Sequence, residues 1–245
     1  MKKLFIVILA LALLSGCKKE SSNPSISLNK ETITLNYGAE QALIATVTDA
    51  PQVNLIWSSN NVKVATVSNS GIVKAVRVGT AIISVKTSDS KYTDNCSITV
   101  APTNFLYKEP IVEWGATIST IKSGETRTLY NQTSTGLLYI GENSSVRCVM
   151  YLFDSYQKLN GSAVLIANTS DAFIYANVFL TERYEPIGIS GGIIFYSGNA
   201  VEIGIGTDSS LGQNIIYMPA SSSKSSKLDL LKKVKSLIYV RDPLP

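Results

Sequence analysis

Short runs in which polar and apolar residues alternate, separated by turn residues, make up the chain from Ser25 to about residue 101. Alternation of this kind places the apolar side chains on one face of an extended strand. Strands of this length and spacing are typical of an all-β sandwich, and no part of this region has a sustained helical period. We therefore predict strands over 25–28, 32–35, 42–47, 53–57, 62–67, 72–76, 80–85 and 96–100.

Two glycines in this region are predicted to be required by the backbone. Gly71 ends the turn Asn69-Ser70-Gly71 between two strands, where glycine adopts a positive φ at little cost. Gly79 opens the next strand at a point where we expect a side chain to collide. In that strand Ala81, Ile83 and Val85 are predicted to lie on one face and Ile82 on the other.

The residues around these turns resemble the bacterial Ig-like domains of group 2. The resemblance extends over nearly all of residues 25–101, and its order and spacing are carried by Ile56-Trp57-Ser58-Ser59-Asn60, Val64-Ala65-Thr66-Val67-Ser68, Gly71-Ile72-Val73-Lys74-Ala75 and Gly79-Thr80-Ala81-Ile82-Ile83. It implies an Ig-like sandwich with Trp57 packed between its sheets. It also implies the setting of bacterial adhesins and other exported proteins, in which such domains act as spacers. A ligand is not implied.

The N-terminal residues are predicted to direct export and lipidation. Lys2 and Lys3 precede an apolar run over 4–14, which is shorter than the roughly 20 residues that span a membrane. Leu14-Ser15-Gly16-Cys17 resembles the lipobox of bacterial lipoproteins. This resemblance implies cleavage before Cys17 and a lipid anchor on its thiol. We predict a signal peptide over 1–16, a polar tether over 17–24, and a lipid-anchored location in the cell envelope, at the outer membrane or cell surface.

Residues 103–240 show a different pattern, for which no family is recognised. Strands are predicted over 128–130, 136–140, 146–153, 163–167, 192–196, 201–206 and 214–218, and helices over 116–123, 172–183 and 225–238. Two units of several strands plus one helix suggest an internal duplication, with Gly136 and Gly192 in corresponding places. We predict an α+β domain, with an antiparallel sheet and its helices on one face.

The composition excludes several kinds of chemistry. The chain contains no histidine, so neither a Ser-His-Asp triad nor an imidazole zinc site can form. No catalytic residue, metal site or cofactor is predicted. The net charge of +4 includes two lysines of the signal, and nothing indicates a nucleic-acid partner. Cys96 and Cys148 are predicted to be buried thiols, with a disulfide between the domains as the alternative.

The second domain is rich in tyrosine, whose apolar ring and hydroxyl suit glycan and protein surfaces. Packing between the sheet and its helices is the alternative role for at least half of these aromatic residues. A cluster on an open sheet face would form a binding site. The predicted ligand-binding residues are Trp114, Tyr130, Tyr139, Tyr151, Tyr196 and Tyr217.

These observations favour a non-enzymatic, membrane-anchored lipoprotein that binds a glycan or an envelope or host protein. The first domain would act as its spacer. One alternative is a structural or assembly subunit of an envelope complex. Another is a polysaccharide hydrolase that uses two carboxylates at a defined separation, drawn from Asp154, Glu182, Glu185, Glu202 and Asp208.

Overall fold

A computed structural model describes residues 24–49, 53–220, 230 and 232–237. The predicted signal peptide and Cys17 lie outside these residues. No helix among the described residues is long and apolar enough to cross a membrane.

The first domain is a β-sandwich. Its strands are β1 (Ser25–Leu28), β2 (Thr32–Asn36), β3 (Glu40–Ala42), β4 (Ala45–Thr48), β5 (Leu55–Ser59), β6 (Ala65–Val67), β7 (Ile72–Ala75), β8 (Gly79–Thr87) and β9 (Thr93–Ala101). A sheet with the order β2-β9-β8-β5 packs against a sheet with the order β3-β7-β6, and β1 pairs with β4. This architecture agrees with the predicted sandwich.

Alternate residues of β8 build the core between the sheets. Ala81, Ile83 and Val85 are buried, whereas Ile82 is exposed, as the alternation predicts. Trp57 is partly buried and packs against the same core. The turn before β7 brings Gly71 so close to this core that a Cβ there would lie 2.5 Å from the carbonyl oxygen of Leu43. Gly71 has a φ of +80°, which confirms the predicted turn.

One predicted strand, over 42–47, is wrong because the chain changes sheets there. Leu43 is buried, and its backbone N–H donates to the carbonyl of Gly71 at 2.9 Å. The residues before it form β3, which pairs with β7, and the residues after it form β4, which pairs with β1. A continuous apolar run therefore contains two strands that belong to different sheets.

The second domain contains one eight-stranded antiparallel sheet. Its strands are β10 (Leu129–Gln132), β11 (Gly136–Ile140), β12 (Val146–Phe153), β13 (Leu159–Ile166), β14 (Glu185–Ser190), β15 (Ile193–Ser197), β16 (Val201–Asp208) and β17 (Gly212–Pro219). The order β10-β11-β12-β13-β17-β16-β15-β14 joins two four-stranded meanders at their last strands. Gly136 is the first residue of β11 and Gly192 immediately precedes β15, so the two glycines lie at corresponding places, next to the beginning of the second strand of each meander.

The helices do not follow the duplication. Helix α1 (Ile118–Gly124) and helix α2 (Ser170–Arg183) pack on the sheet face that carries Val149 and Tyr151. Residues 230 and 232–237 are helical and pack on the opposite face, with Met150 and Leu152. The prediction of helices on one face is therefore wrong.

The physical reason is that the central strands are apolar on both faces. In β12 the last six residues, Cys148 to Phe153, are all buried. Because successive side chains of a strand point to opposite faces of the sheet, both faces of β12 must be covered by other elements. Two glycines allow the C-terminal helical residues to pack closely on the second face. A Cβ at Gly136 would overlap the side chain of Leu237, and a Cβ at Gly161 would overlap that of Leu230. A two-fold repeat of whole units would place both helices on the same face, so the repeat is limited to the strands.

Cys96 and Cys148 lie in the cores of different domains, and the structure describes both as free, buried thiols. Burial raises the pKa of Cys148 to about 12, which keeps this thiol protonated and unreactive. The structure therefore agrees with buried thiols rather than with the disulfide that was the alternative.

Candidate functional site

Most of the predicted ligand-binding aromatic residues are part of the core of the second domain. Tyr139, Tyr151, Tyr196 and Tyr217 are between 0% and 3% exposed. The rings of Tyr139 and Tyr151 pack edge to face, with their centroids 5.7 Å apart, on the sheet face that the helices cover. As residues of an exposed platform these four predictions are wrong, because α1, α2 and the segment before α1 cover this sheet face.

The buried hydroxyl groups hold the irregular segment of residues 102–117 against the sheet. The hydroxyl of Tyr217 lies 2.6 Å from that of Tyr107, and burial raises the pKa of Tyr217 well above its ordinary value. The hydroxyl of Tyr151 accepts a hydrogen bond from the backbone N–H of Ile111 at 3.2 Å. Ser162 donates to the carbonyl of Ile111. Tyrosine is frequent here because sheet residues with a polar end fasten a segment that lacks regular backbone hydrogen bonds.

The other two predicted residues are not part of this buried core, although Trp114 packs against it. Trp114 is partly buried, and its indole N–H donates to the carbonyl of Ala200 at 2.8 Å. Tyr130 is exposed on β10, at one edge of the sheet. The six residues therefore do not form one surface.

A buried carboxylate joins the linker to α2 at the junction between the domains. Glu182 is fully buried and accepts hydrogen bonds from the backbone N–H groups of Thr103 and Asn104, at 3.0 and 3.1 Å. The Thr103 hydroxyl also donates to this carboxylate. Arg183 donates to the carbonyl of Asn104 at 2.9 Å. The backbone N–H of Val78 in the first domain donates to the backbone carbonyl of Glu182 at 2.7 Å, which connects the domains directly.

An apolar groove of about 430 Å³ lies beside this contact. We call it the helix groove, and its lining residues are Tyr37 of the first domain and Phe173, Ile174, Asn177, Val178 and Thr181 of α2. Ile174 and Val178 are 57% and 42% exposed. Apolar side chains exposed together are a common mark of an interaction surface.

The sequence contains a signal for this groove. Apolar residues surround α2 instead of forming one stripe, and a helix of this kind has more than one apolar neighbour. Ala176 and Leu180 are buried against the sheet, whereas Val178 on another side of the helix is exposed.

A smaller space of about 250 Å³, here called the interdomain cleft, is lined by charged residues of both domains. Lys63, Arg77, Arg183 and Glu185 contribute its charges, and Tyr184 lies among its other lining residues. Lys63 and Glu185 form an ion pair between the domains, with 3.0 Å between the nitrogen and an oxygen. The hydrogen bond and positive charge of Lys63, with a smaller effect of Arg77, hold the pKa of Glu185 below its ordinary value.

The acidic residues considered for hydrolysis are largely engaged in structural contacts. Asp154 accepts hydrogen bonds from the backbone N–H groups of Tyr156 and Lys158 in a turn. Asp208 accepts from Ser210 and pairs with Lys235, and these contacts lower its pKa. Among the described residues, no group of three or more His, Cys, Asp or Glu side chains is placed to hold a metal ion.

Comparison with protein families identifies the class of the first domain. Residues 23–100 match the model of the family described as "Bacterial Ig-like domain (group 2)". The match confirms the resemblance found over residues 25–101. The second domain lies outside the matched residues.

The chain is also similar to a curated protein and to solved structures. It is 40% identical over 78 residues to the kappa-carrageenase of Pseudoalteromonas carrageenovora, which is 31% of this chain and 20% of that protein. The chain therefore spans about a fifth of the length of this relative. The structure of surface layer protein SbsC, domains 1-6, is 14% identical, with a TM-score of 0.29, over 80% of this chain and 22% of that one. An intimin mutant of EHEC O157:H7 is 16% identical, with a TM-score of 0.26, over 49% and 86%. Structural similarity at this level carries no argument about function.

Proposed function

We propose that this protein is a lipid-anchored, non-enzymatic binding protein of the bacterial cell envelope, and that its ligand is a protein bound at the helix groove. The Ig-like domain separates the second domain from the membrane and supplies Tyr37 to the binding surface. The observation that carries this proposal is the apolar lining of the groove, in which Ile174 and Val178 are exposed together beside Tyr37 of the first domain.

The groove fits a protein better than a glycan. Glycan sites combine an exposed aromatic face with several hydrogen-bonding groups. In this groove the aromatic residues Tyr37 and Phe173 are only partly exposed, the exposed residues are the aliphatic Ile174 and Val178, and the polar side chains are Asn177 and Thr181. Both polar side chains have partners within the protein, because Thr181 donates to the carbonyl of Asn177 and Tyr196 donates to the Asn177 amide oxygen. An apolar side chain of a protein ligand would bury Ile174 and Val178 without breaking these bonds.

Site-specific cross-linking in intact cells tests the groove. A photoreactive amino acid in place of Val178 is expected to form a discrete adduct with one protein. The same amino acid in place of Ile82 is the matched control, because Ile82 is similarly exposed but lies on the first domain's β8. Equal adducts at both positions, or an adduct with carbohydrate at position 178, would contradict the proposal.

A second variant shows whether the groove supplies the affinity. Val178→Asp places a charge in the apolar lining, and we expect it to abolish the adduct formed by a photoreactive residue at position 174. Val178 is already exposed, so this change is expected to leave the free energy of unfolding within about 0.5 kcal/mol of the original. Retention of the adduct by a folded Val178→Asp protein would argue against the groove.

The lipid anchor is tested separately by metabolic labelling with a fatty-acid analogue. The protein is expected to incorporate the label, and Cys17→Ala is expected to lose it. Cys96→Ala is the control, since it removes a buried thiol of the first domain and leaves Cys17 in place. Label that persists in Cys17→Ala would refute lipidation at this residue.

An assembly subunit of an envelope complex is a second candidate, favoured by the edge strand β14. This strand ends the sheet, and Ile187 and Ile189 are both more than half exposed on it. Exposed edges of this kind pair with strands of other chains. Ile189→Lys would disrupt such pairing and leave cross-linking at position 178 unchanged, which separates the two candidates.

A further inference from the structure

The interdomain cleft carries an excess of positive charge. Lys63 and Arg77 of the first domain and Arg183 of the second line it, with Glu185 as the negatively charged residue among the lining groups. A concave site with charges of one sign in excess attracts and concentrates ligands of the opposite sign. The partners of the three cations decide which of them is available to a ligand.

Two of the three cations are already engaged. Lys63 pairs with Glu185 at 3.0 Å. Arg183 donates to the carbonyls of Phe179 and Asn104, both at 2.9 Å, and its guanidinium carbon lies 3.6 Å from the centroid of the Phe179 ring. These contacts give Arg183 a structural role at the junction.

Arg77 is different, because its side chain has a buried donor without a partner. The Nε atom of Arg77 is inaccessible to solvent and makes no hydrogen bond with any described residue. A buried donor on a charged group is destabilising when it is left unsatisfied. An unsatisfied buried donor of this kind calls for an explanation. Because Arg77 also lines the interdomain cleft, its guanidinium group is placed to bind a ligand there.

The chemistry of the ligand follows from the guanidinium group. Its planar N–H donors match the two oxygens of a carboxylate or the oxygens of a sulfate, and such charge-assisted pairs are strong and directional. Asn61, Ser197 and Asn199 add neutral polar groups to the same lining. The volume of about 250 Å³ is below the roughly 300–1,000 Å³ that holds drug-sized ligands, so the ligand has the size of one sugar residue.

We propose that the interdomain cleft binds an acidic sugar residue through its carboxylate or sulfate group, with Arg77 as the principal anion-binding side chain. This site is separate from the helix groove, and it does not depend on a protein ligand being bound there. Because both domains contribute to the cleft, the ligand also stabilises their junction, and the midpoint of thermal unfolding is expected to rise with ligand concentration.

Titration calorimetry of the purified exported protein, at fixed ionic strength, tests the proposal. The probes are glucuronate, glucose 6-sulfate, inorganic sulfate and uncharged glucose. Glucuronate or glucose 6-sulfate is expected to bind about tenfold or more tightly than glucose. Equal binding of glucose would overturn the proposal. Inorganic sulfate that binds as tightly as glucose 6-sulfate would support the anion site and overturn the sugar as its ligand.

Variants locate the binding. Arg77→Gln is expected to weaken binding of the charged sugar about tenfold, and Arg77→Lys less, because lysine keeps the charge but loses the planar fork. Lys86→Gln removes one exposed positive charge from the same domain outside the cleft, and it is expected to bind normally. Unchanged affinity in folded Arg77→Gln would refute the assignment.

A second variant, Lys63→Gln, tests the same proposal if the Arg77→Gln protein does not fold. Lys63 is 72% exposed, so Lys63→Gln is expected to fold, and it leaves the charge of Glu185 without its partner. That charge repels an anion, so the affinity for the charged sugar is expected to fall. An affinity that stays the same or rises would count against an anion in this cleft. Cross-linking at position 178 is unaffected by these changes, so failure of this proposal is distinguishable from failure of the protein-binding function.

Discussion

The carboxylate of Glu182 accepts a hydrogen bond from the backbone N–H of Thr103 at 3.0 Å, in a place that is closed to solvent. Thr103 lies two residues after β9, the end of the first domain, whereas Glu182 belongs to the last turn of α2. One helix therefore anchors the linker and, through Val78, contacts the first domain. The same helix forms one wall of the helix groove.

Glu182→Ala is expected to loosen the junction. It leaves the N–H groups of Thr103 and Asn104 unsatisfied, and we expect a loss of about 3 kcal/mol in the free energy of unfolding. Urea unfolding measures the loss, and limited proteolysis is expected to cut faster in the linker. Glu113→Ala, at an exposed position, is the control, and a loss as large in both variants would contradict this role of Glu182.

Tyr217→Phe tests the role assigned to the buried tyrosines. The change removes the hydroxyl that lies 2.6 Å from that of Tyr107, and we expect a loss of about 1–2 kcal/mol in the free energy of unfolding. Tyr156→Phe, at a residue that is 82% exposed, is expected to change it by less than about 0.5 kcal/mol. A tyrosine at a ligand surface would give the reverse pattern, with binding reduced and stability unchanged.

A nearly buried ion cluster near the start of β10 makes stability depend on pH. Arg127 pairs with Glu125 at 2.8 Å and with Glu142 at 2.7 Å, and the side chains of Arg127 and Glu125 are 3% and 1% exposed. Burial acts to raise the pKa of Glu125, but hydrogen bonds from Tyr151 and Arg127 outweigh it, so the pKa falls below 4.5. The pKa of Glu142 is lowered against the same effect of burial, mainly by a hydrogen bond from Arg127.

A carboxylate whose pKa is lower in the folded state contributes stability above its unfolded pKa and loses it as the pH falls through the folded value. We therefore expect the free energy of unfolding to fall below about pH 4.5. Arg127→Gln is expected to lose about 3–5 kcal/mol at neutral pH, because it leaves buried carboxylates unpaired. The gap between this variant and the original should narrow in acid, and a constant gap in urea titrations from about pH 7 to pH 3.5 would rule out the cluster as its source.

Substitutions at Gly71 and Gly38 test whether the turn next to Trp57 requires a glycine, with Gly38 as the control. Both have a positive φ, +80° and +77°, but only at Gly71 would a Cβ meet a neighbour, the carbonyl of Leu43. Gly38→Ala is expected to cost about 1 kcal/mol from backbone strain alone. Gly71→Ala should cost about 3 kcal/mol, because a clash is added to the strain. Thermal unfolding compares the two, and equal losses would show that the turn yields to accommodate the methyl group.

The thiols provide a further check on the cores. In Cys17→Ala, Cys96 and Cys148 are expected to be inert to a thiol reagent in the native protein, because both are buried and burial raises the pKa of each. Two thiols should react after denaturation without a reductant. A count of zero after denaturation would indicate a disulfide and contradict the buried free thiols.

The strands of both domains were largely predictable, because a strand half buried in a sandwich has a strict alternation and one buried on both faces has a long apolar run. The prediction over 146–153 coincides with β12 for this reason. β14 was missed because Pro186 and Gly188 are rare within strands and only its edge position tolerates them.

The candidate site was less predictable, since its residues are distant in sequence and ordinary in type. Tyr37 and Val178 lie in different domains, and only the junction brings them to one groove. The tyrosines were misassigned because a buried hydroxyl and an exposed one look the same in a sequence. What separates them is the crossing segment near Ile111, which has no periodic pattern of its own.

Leu230 and Leu237, seated over Gly161 and Gly136, have a consequence for how the second domain is made. The strands that they cover end at residue 219, so during synthesis or translocation all strands of the sheet emerge before the helical residues that cover this face. During that interval Met150 and Leu152 are part of an exposed apolar surface that can associate with other molecules. The newborn chain is then vulnerable to aggregation and open to chaperones until residue 237 has emerged.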